Sequence, residues 1–378
     1  MKIFIKKTLL YSILLLSIYL FPLSIYILSR DYVSLDKVVN LQYSKPNVLF
    51  SFSYFGESYV AYKTLLLQKV KPDVIAFGSS RTFQIRKEFF NKPETFVNAS
   101  VPRPSIGNLI NLKNLIDELP NDGKKRELVL LLDKRYFTER YDTSSDIKNR
   151  FVVNRFSHLI GKPLRLVYLD YFSGKYSLTD FVSQSQNSDN IGLWSLVRDS
   201  GVRADGSVKE GYEETVSNRK DVLKGDISAR VEEIKNYNPT LLLQEEKNIP
   251  KNLEDLKSIL DLCKQRNIDV VAFIPPDPVE VAKEIKSNTS PYAQSQTKLA
   301  SSISDIFSEY NFSFFDLSDI TQYGGSDDEF IDLIHGGDLL YAKAILYMAQ
   351  NNSNLKSYVN VSGLQEIIKN TKGDFLNF

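Results

Sequence analysis

The longest uninterrupted apolar pattern in the chain is Thr8–Ser29, TLLYSILLLSIYLFPLSIYILS, 22 residues without a charge. A bilayer core of ~30 Å needs ~20 apolar residues at 1.5 Å rise each, so the run predicts a membrane-spanning helix. A cleaved signal peptide has a shorter apolar region of ~7–15 residues ending in a small-residue site, which Tyr26-Ile27-Leu28 does not provide. Pro22 is compatible with a kink inside such a helix. Lys2, Lys6 and Lys7 precede the run, whereas Arg30, Asp31, Asp36 and Lys37 cancel after it. Positive flanks stay cytoplasmic, so the expectation is a single-pass protein whose bulk lies outside the cytoplasm.

Beyond residue 70 short apolar runs alternate with helical patterns. Asp73–Phe77 reads as a buried strand stopped at Gly78, and Thr95–Asn98 as a second, shorter one. Leu109, Leu112, Leu115, Ile116 and Leu119 recur at helical spacing. Leu128–Leu132 is an unbroken apolar run ending at Asp133, as in a strand buried on both faces. A helix over Leu253–Lys264, a strand over Ile268–Ile274 stopped by Pro275-Pro276, a helix over Leu299–Tyr310 and a strand over Phe312–Leu317 follow. Asp338 is expected to cap a last core helix running through Met348. This order predicts an α/β, three-layer αβα domain with a doubly wound, flavodoxin-like parallel sheet. The boundaries read as 1–30 for tip and anchor, 31–70 for a juxtamembrane segment, 71–350 for the α/β domain and 351–378 for a C-terminal extension. Residues 138–250, rich in Ser, Asp, Asn and Lys, break the alternation and read as an insertion, partly helical, without a strand ladder.

Charge and composition narrow the chemistry. With Lys+Arg 47 against Asp+Glu 46, the net charge of +1 excludes the basic footprint of a nucleic-acid binder. Hydrophobic residues at 43% exclude an intrinsically disordered chain. One cysteine, Cys263, excludes an internal disulfide framework and a Cys-based zinc cage, and it falls on the apolar face of a helical pattern. With His158 and His335 the only histidines, neither a metal nor a cofactor is expected. His158 reads as structural.

Open parallel sheets bind ligands outside the carboxyl ends of their strands. The segments predicted there are Gly78-Ser79-Ser80-Arg81-Thr82, Asn98-Ala99-Ser100-Val101-Pro102-Arg103, Asp133-Lys134-Arg135, Pro275-Pro276-Asp277 and Asp327–His335. A serine, a histidine and an aspartate therefore meet on one edge. Asp332 and His335 are three residues apart, so Asp332 is positioned to accept from one ring nitrogen while the other faces Ser80. Such pairing fixes the tautomer and stabilises the imidazolium formed when histidine takes the serine proton.

On these residues the chain resembles the SGNH/GDSL hydrolases over roughly residues 70–137 and 268–350. Val74–Ser80 is similar to their first block, which carries the nucleophilic serine; Asn98–Ser105 to the second; and Asp332-x-x-His335 to the last. The anchor and the Gly-Ser-Ser variant are similar to accessory proteins of cell-envelope acylation, among them D-alanyl-lipoteichoic acid biosynthesis and alginate O-acetylation proteins. The resemblance implies a Ser80 nucleophile, a His335 base and an orienting Asp332. It also implies O-acyl chemistry on a cell-surface glycan or teichoic-type polymer. The pattern departs where the first-block aspartate is Ser79, the second-block oxyanion glycine is Arg103, and the third-block asparagine is replaced by the stretch Asp133-Lys134-Arg135. Arg103 and Arg135 are candidate cationic substitutes in the oxyanion hole, and Arg81 either binds substrate or pairs with an acid. A non-catalytic scaffold that binds the glycan or a membrane O-acyltransferase partner is the alternative that these departures keep open.

Overall fold

A computed structural model of the chain describes residues 1–51, 59–102, 109–139, 162–209 and 219–371. Among them the strands are β1 (Val74–Phe77), β2 (Phe96–Asn98), β3 (Arg126–Leu131), β4 (Gly201–Val202), β5 (Val208–Lys209), β6 (Ile268–Ile274) and β7 (Ser313–Asp316). The chain divides into two compact units. One comprises Met1–Tyr62, Asp146–Ala204 and Val208–Glu213; the other comprises Lys63–Ser145, Asp205–Ser207 and Glu214–Phe378. Residues 138–250 thus contribute to both.

The larger unit is α/β. Its five strands lie in the order β2-β1-β3-β6-β7, and every neighbouring pair is parallel. The inner strands β1 and β3 are buried throughout, which accounts for their unbroken apolar runs rather than an alternation. Successive side chains point to opposite faces. Val74, Ala76, Val129, Leu131, Val271 and Phe273 accordingly join one core with Leu339, Ala342, Ile345 and Met348 of the helix Asp338–Asn351. Ile75, Phe77, Leu128 and Ile268 meet Leu67, Leu112, Leu115 and Ile116 on the other face. The first core also takes in Leu355, Val359 and Leu364, so the described residues beyond 350 contribute to it.

Several helices are longer than their apolar spacing. Ile249–Gln265 and Pro291–Glu309 both begin with proline in the first turn, where a missing N–H costs nothing. Ser290 Oγ caps the second by accepting from Ala293 N at 3.1 Å. The polar stretch Gln294–Lys298 conceals that first half in the sequence. Asp338 is not the cap of its helix: Gly337 holds that position, and the Asp338 carboxylate takes Arg86 Nη1 at 2.7 Å instead. A charged partner in a buried place outcompetes the local backbone N–H groups. Cys263 is fully buried, and burial pushes its thiol up to about 12.

The smaller unit contains the helix Lys2–Leu28, of which Ile3–Leu28 is long and apolar enough to cross a membrane. It also holds the helices Leu35–Ser44, Lys162–Phe172, Leu178–Asn187 and Leu193–Val197, together with the hairpin of β4 and β5. Gly192, at φ 96°, passes so close to Ser51 that a Cβ would sit 2.3 Å from the Ser51 carbonyl oxygen. Only glycine fits there.

Candidate active site

Ser80 sits on the first turn after β1. Gly78 makes that turn possible: a Cβ there would lie 2.0 Å from Thr82 Oγ1 and 2.8 Å from Leu131 Cβ. Ser79 begins the short 3-10 turn Ser80–Thr82; its Oγ accepts from Arg81 N at 3.4 Å and donates to Asp133 Oδ2 at 3.3 Å. Asn98, at the end of β2, holds the far side of the turn. Its Nδ2 donates to Thr82 O at 2.8 Å and to Ile85 O at 3.0 Å. Lys63 in turn donates to the Asn98 carbonyl at 2.7 Å and to the Gly206 carbonyl. Complete burial pushes the Lys63 amine down to about 7, against the pull of Asp205.

The histidine arrives on the loop between Glu329 and Gly337. Gly337 N donates to Glu329 O and Ile331 N to His335 O, both at 2.7 Å, which closes the loop on itself. Asp332 Oδ1 accepts from the backbone N–H groups of Ile334 and His335 at 2.9 and 2.8 Å, an Asx turn that orients the carboxylate. Its other oxygen, Oδ2, lies 2.8 Å from His335 Nδ1. Burial opposes the Asp332 charge, but the His335 hydrogen bond and the two N–H groups outweigh it and hold this carboxyl below its ordinary value. An ionised carboxylate only accepts, so Nδ1 carries a proton, and the neutral ring then has its lone pair on Nε2. That Nε2 lies 2.8 Å from Ser80 Oγ, across 255 residues of sequence.

Ser80, Asp332 and His335 are therefore brought together. Arg81 pairs with an acid at the cleft wall: its Nη2 donates to Asp277 Oδ1 at 3.0 Å and to the Pro276 carbonyl, and the residue lines the same cleft as Ser80. Burial disfavours its charge, yet Asp277 and Asp133 raise its pKa above the ordinary value. The Arg135 backbone N–H donates to Asp133 Oδ1 at 3.1 Å, and the residue lines the cleft. Asp133 ties Ser79 to the start of the short helix Arg135–Thr138. Arg103 and His158 lie outside the described residues.

Ser80 opens into a cleft of about 780 Å³, within the range of small-molecule sites. The cleft contains residues that the motifs did not single out as site candidates. Lys134 is one, with its Nζ 4.3 Å from the centre of the Tyr292 ring. Burial first, and the neighbouring Arg230 charge second, push its amine down to about 7, against Asp277, Asp133 and Glu245. Arg230 donates to Tyr292 OH at 2.9 Å, and with Tyr237 and Glu245 it brings the 138–250 region into the cleft wall. The only signal in the sequence was that Lys134 follows directly on the Asp133 that ends a predicted strand. Among the described residues no cluster of three or more His, Cys, Asp or Glu side chains is arranged to hold a metal ion. Compared with known proteins, the chain matches no family model and no curated protein sequence.

Proposed function

We propose that this chain is a membrane-anchored, extracytoplasmic serine acyl-esterase or acyltransferase of the SGNH kind, built on a flavodoxin-like sheet. The observation that carries the reading is the hydrogen-bonded chain Ser80–His335–Asp332, whose serine lines the cleft. Ser80 Oγ attacks an ester or thioester carbonyl while His335 Nε2 removes its proton, and Asp332 stabilises the resulting imidazolium. The imidazolium then protonates the departing oxygen or sulfur, leaving the acyl group on Ser80. A second hydroxyl, from water or a sugar, gives its proton to His335 as it attacks the acyl-enzyme carbonyl, and His335 passes that proton to Ser80 Oγ as the serine leaves. The resemblance to envelope acylation proteins favours a cell-surface polysaccharide or teichoic-type polymer as the acceptor. Arg230, Tyr237 and Glu245 of the 219–250 region line one wall of the cleft, where they can contact an acceptor.

The test is covalent labelling of the full chain in detergent with a fluorophosphonate. Labelling should map to Ser80 and vanish in Ser80→Ala and His335→Ala while both variants keep the parental thermal midpoint. Asp332→Asn should slow it by on the order of 10³–10⁴, because the base survives in the wrong tautomer. Labelling that persists in Ser80→Ala would remove the proposed nucleophile. Complete absence in the folded parent would favour the scaffold reading.

A further inference from the structure

The smaller unit packs an aromatic cluster against the C-terminal part of the helix Lys2–Leu28. Phe21 meets the rings of Tyr168 and Tyr171 at 5.2 and 5.3 Å, and Tyr168 OH donates to the Ile18 carbonyl at 2.7 Å. Tyr168 stacks on Phe172 at 6.1 Å, and Ile25 shares a core with Val167, Tyr176, Phe181, Leu193 and Leu196. The exposure of the long helix changes at this place. Described side chains from Ile3 to Leu20 are exposed, whereas Pro22, Ile25 and Tyr26 are buried.

That change decides where a bilayer fits. A slab of ~30 Å needs ~20 helical residues. Begun at Ile3, it ends near Pro22; begun after Lys7, the last charge before the apolar run, it ends near Ile27. Either placement puts Ile18 and Phe21 at or beneath the surface of the slab, and with them the side chains that touch them. Those side chains belong to the helix Lys162–Phe172, whose Leu169 and Phe172 are 49% and 79% exposed. Leaving two large apolar side chains in water beside a lipid slab is unfavourable, and aromatic rings prefer the headgroup level. The one acid of that helix, Asp170, is buried and paired with Lys175 at 2.6 Å, so it opposes nothing. Arg165 is exposed on the same helix, where it can meet lipid phosphates.

We propose that the helix Lys162–Phe172 is a second lipid contact. It lies in the membrane–water interface, with Tyr168, Leu169 and Phe172 among the phospholipid glycerol groups and upper acyl chains. The proposal rests on the reading of Ile3–Leu28 as spanning the bilayer. Its consequence is that the smaller unit is fixed to the membrane at two places rather than swinging from one.

The test uses the fact that Trp194 is the only tryptophan. In a Trp194→Phe background of the full chain, Phe172→Trp and, separately, Leu16→Trp serve as reporters. Each is reconstituted in phosphatidylcholine vesicles with bromine near the headgroup end of the acyl chain, near its methyl end, or absent. Parental thermal midpoints establish that the variants fold. Phe172→Trp emission should fall about twofold with the shallow bromine and less with the deep one, as for an interfacial ring. Leu16→Trp should be quenched by at least one of them. Quenching of Leu16→Trp without Phe172→Trp overturns the interfacial helix and leaves the span standing. Loss of both removes the span and the inference together.

Discussion

Arg86 Nη1 and Asp338 Oδ2 form an ion pair of 2.7 Å between two nearly inaccessible side chains. Arg86 ends the segment that starts at Ser80, and Asp338 begins the helix that follows His335. The pair thus joins the chain carrying the proposed nucleophile to the chain carrying its base. Burial opposes the Arg86 charge, and Asp338 and Glu88 more than restore it.

Breaking this pair should destabilise the chain more than replacing it. Asp338→Ala leaves a buried guanidinium short of its counter-charge and should cost about 3–5 kcal/mol. Arg86→Met combined with Asp338→Leu should recover most of that loss while slowing Ser80 labelling, because the two site loops then lose the ion pair that joins them. Urea denaturation measures the first effect and labelling rate the second. A double variant less stable than Asp338→Ala would show that the pair is not the source of the cost.

Lys134 should change charge near neutrality inside the cleft. Its amine is pushed down to about 7, first by burial and then by Arg230, so the cleft loses a positive charge as pH rises through that value. Reductive methylation with a carbon-13 label should give a lysine resonance that titrates there and is missing in Lys134→Met. In Arg230→Gln that resonance should titrate higher, since a repelling cation has gone. An unchanged midpoint would mean that Arg230 is not felt by Lys134.

Glu127 should make stability fall with rising pH. It lies in β3 between Val74 and Asp269, fully buried, and neither carboxylate oxygen has a hydrogen-bond partner among the described residues. Burial, then Asp269, pushes its carboxyl up from 4.5 to about 8. Between those values the folded chain keeps a proton that the unfolded chain has released. The contribution is whole below the lower value and is lost as pH rises through the upper one, by at most ~1.4 kcal/mol per pH unit. Glu127→Gln removes the charge, so its advantage over the parent in urea midpoint should be larger at about pH 9 than at about pH 5. An advantage independent of pH would assign the effect to something other than ionisation.

Local pattern was enough for the parts that depend on near neighbours. The apolar run Thr8–Ser29 determined the long N-terminal helix. The unbroken runs at Val74–Phe77 and Leu128–Leu131 determined strands buried on both faces, and the mostly apolar Ile268–Ile274 determined the strand beside them. The spacing of Asp332 and His335 determined that one turn holds both, because an Asx turn and a ring hydrogen bond need only three residues. Tertiary structure decided the rest. Ser80 meets His335 because strand order places the two loops on one edge, a relationship no window of sequence contains. Arg81 pairs with Asp277 because the turn after β6 brings that carboxylate to it. Asp338 left its capping position for Arg86 because a buried cation needs a counter-charge more than a helix end needs a cap. Lys134 became a neutral-pH group only through the cleft that closes around it, since a pKa records the whole surroundings of a side chain and not its place in the chain.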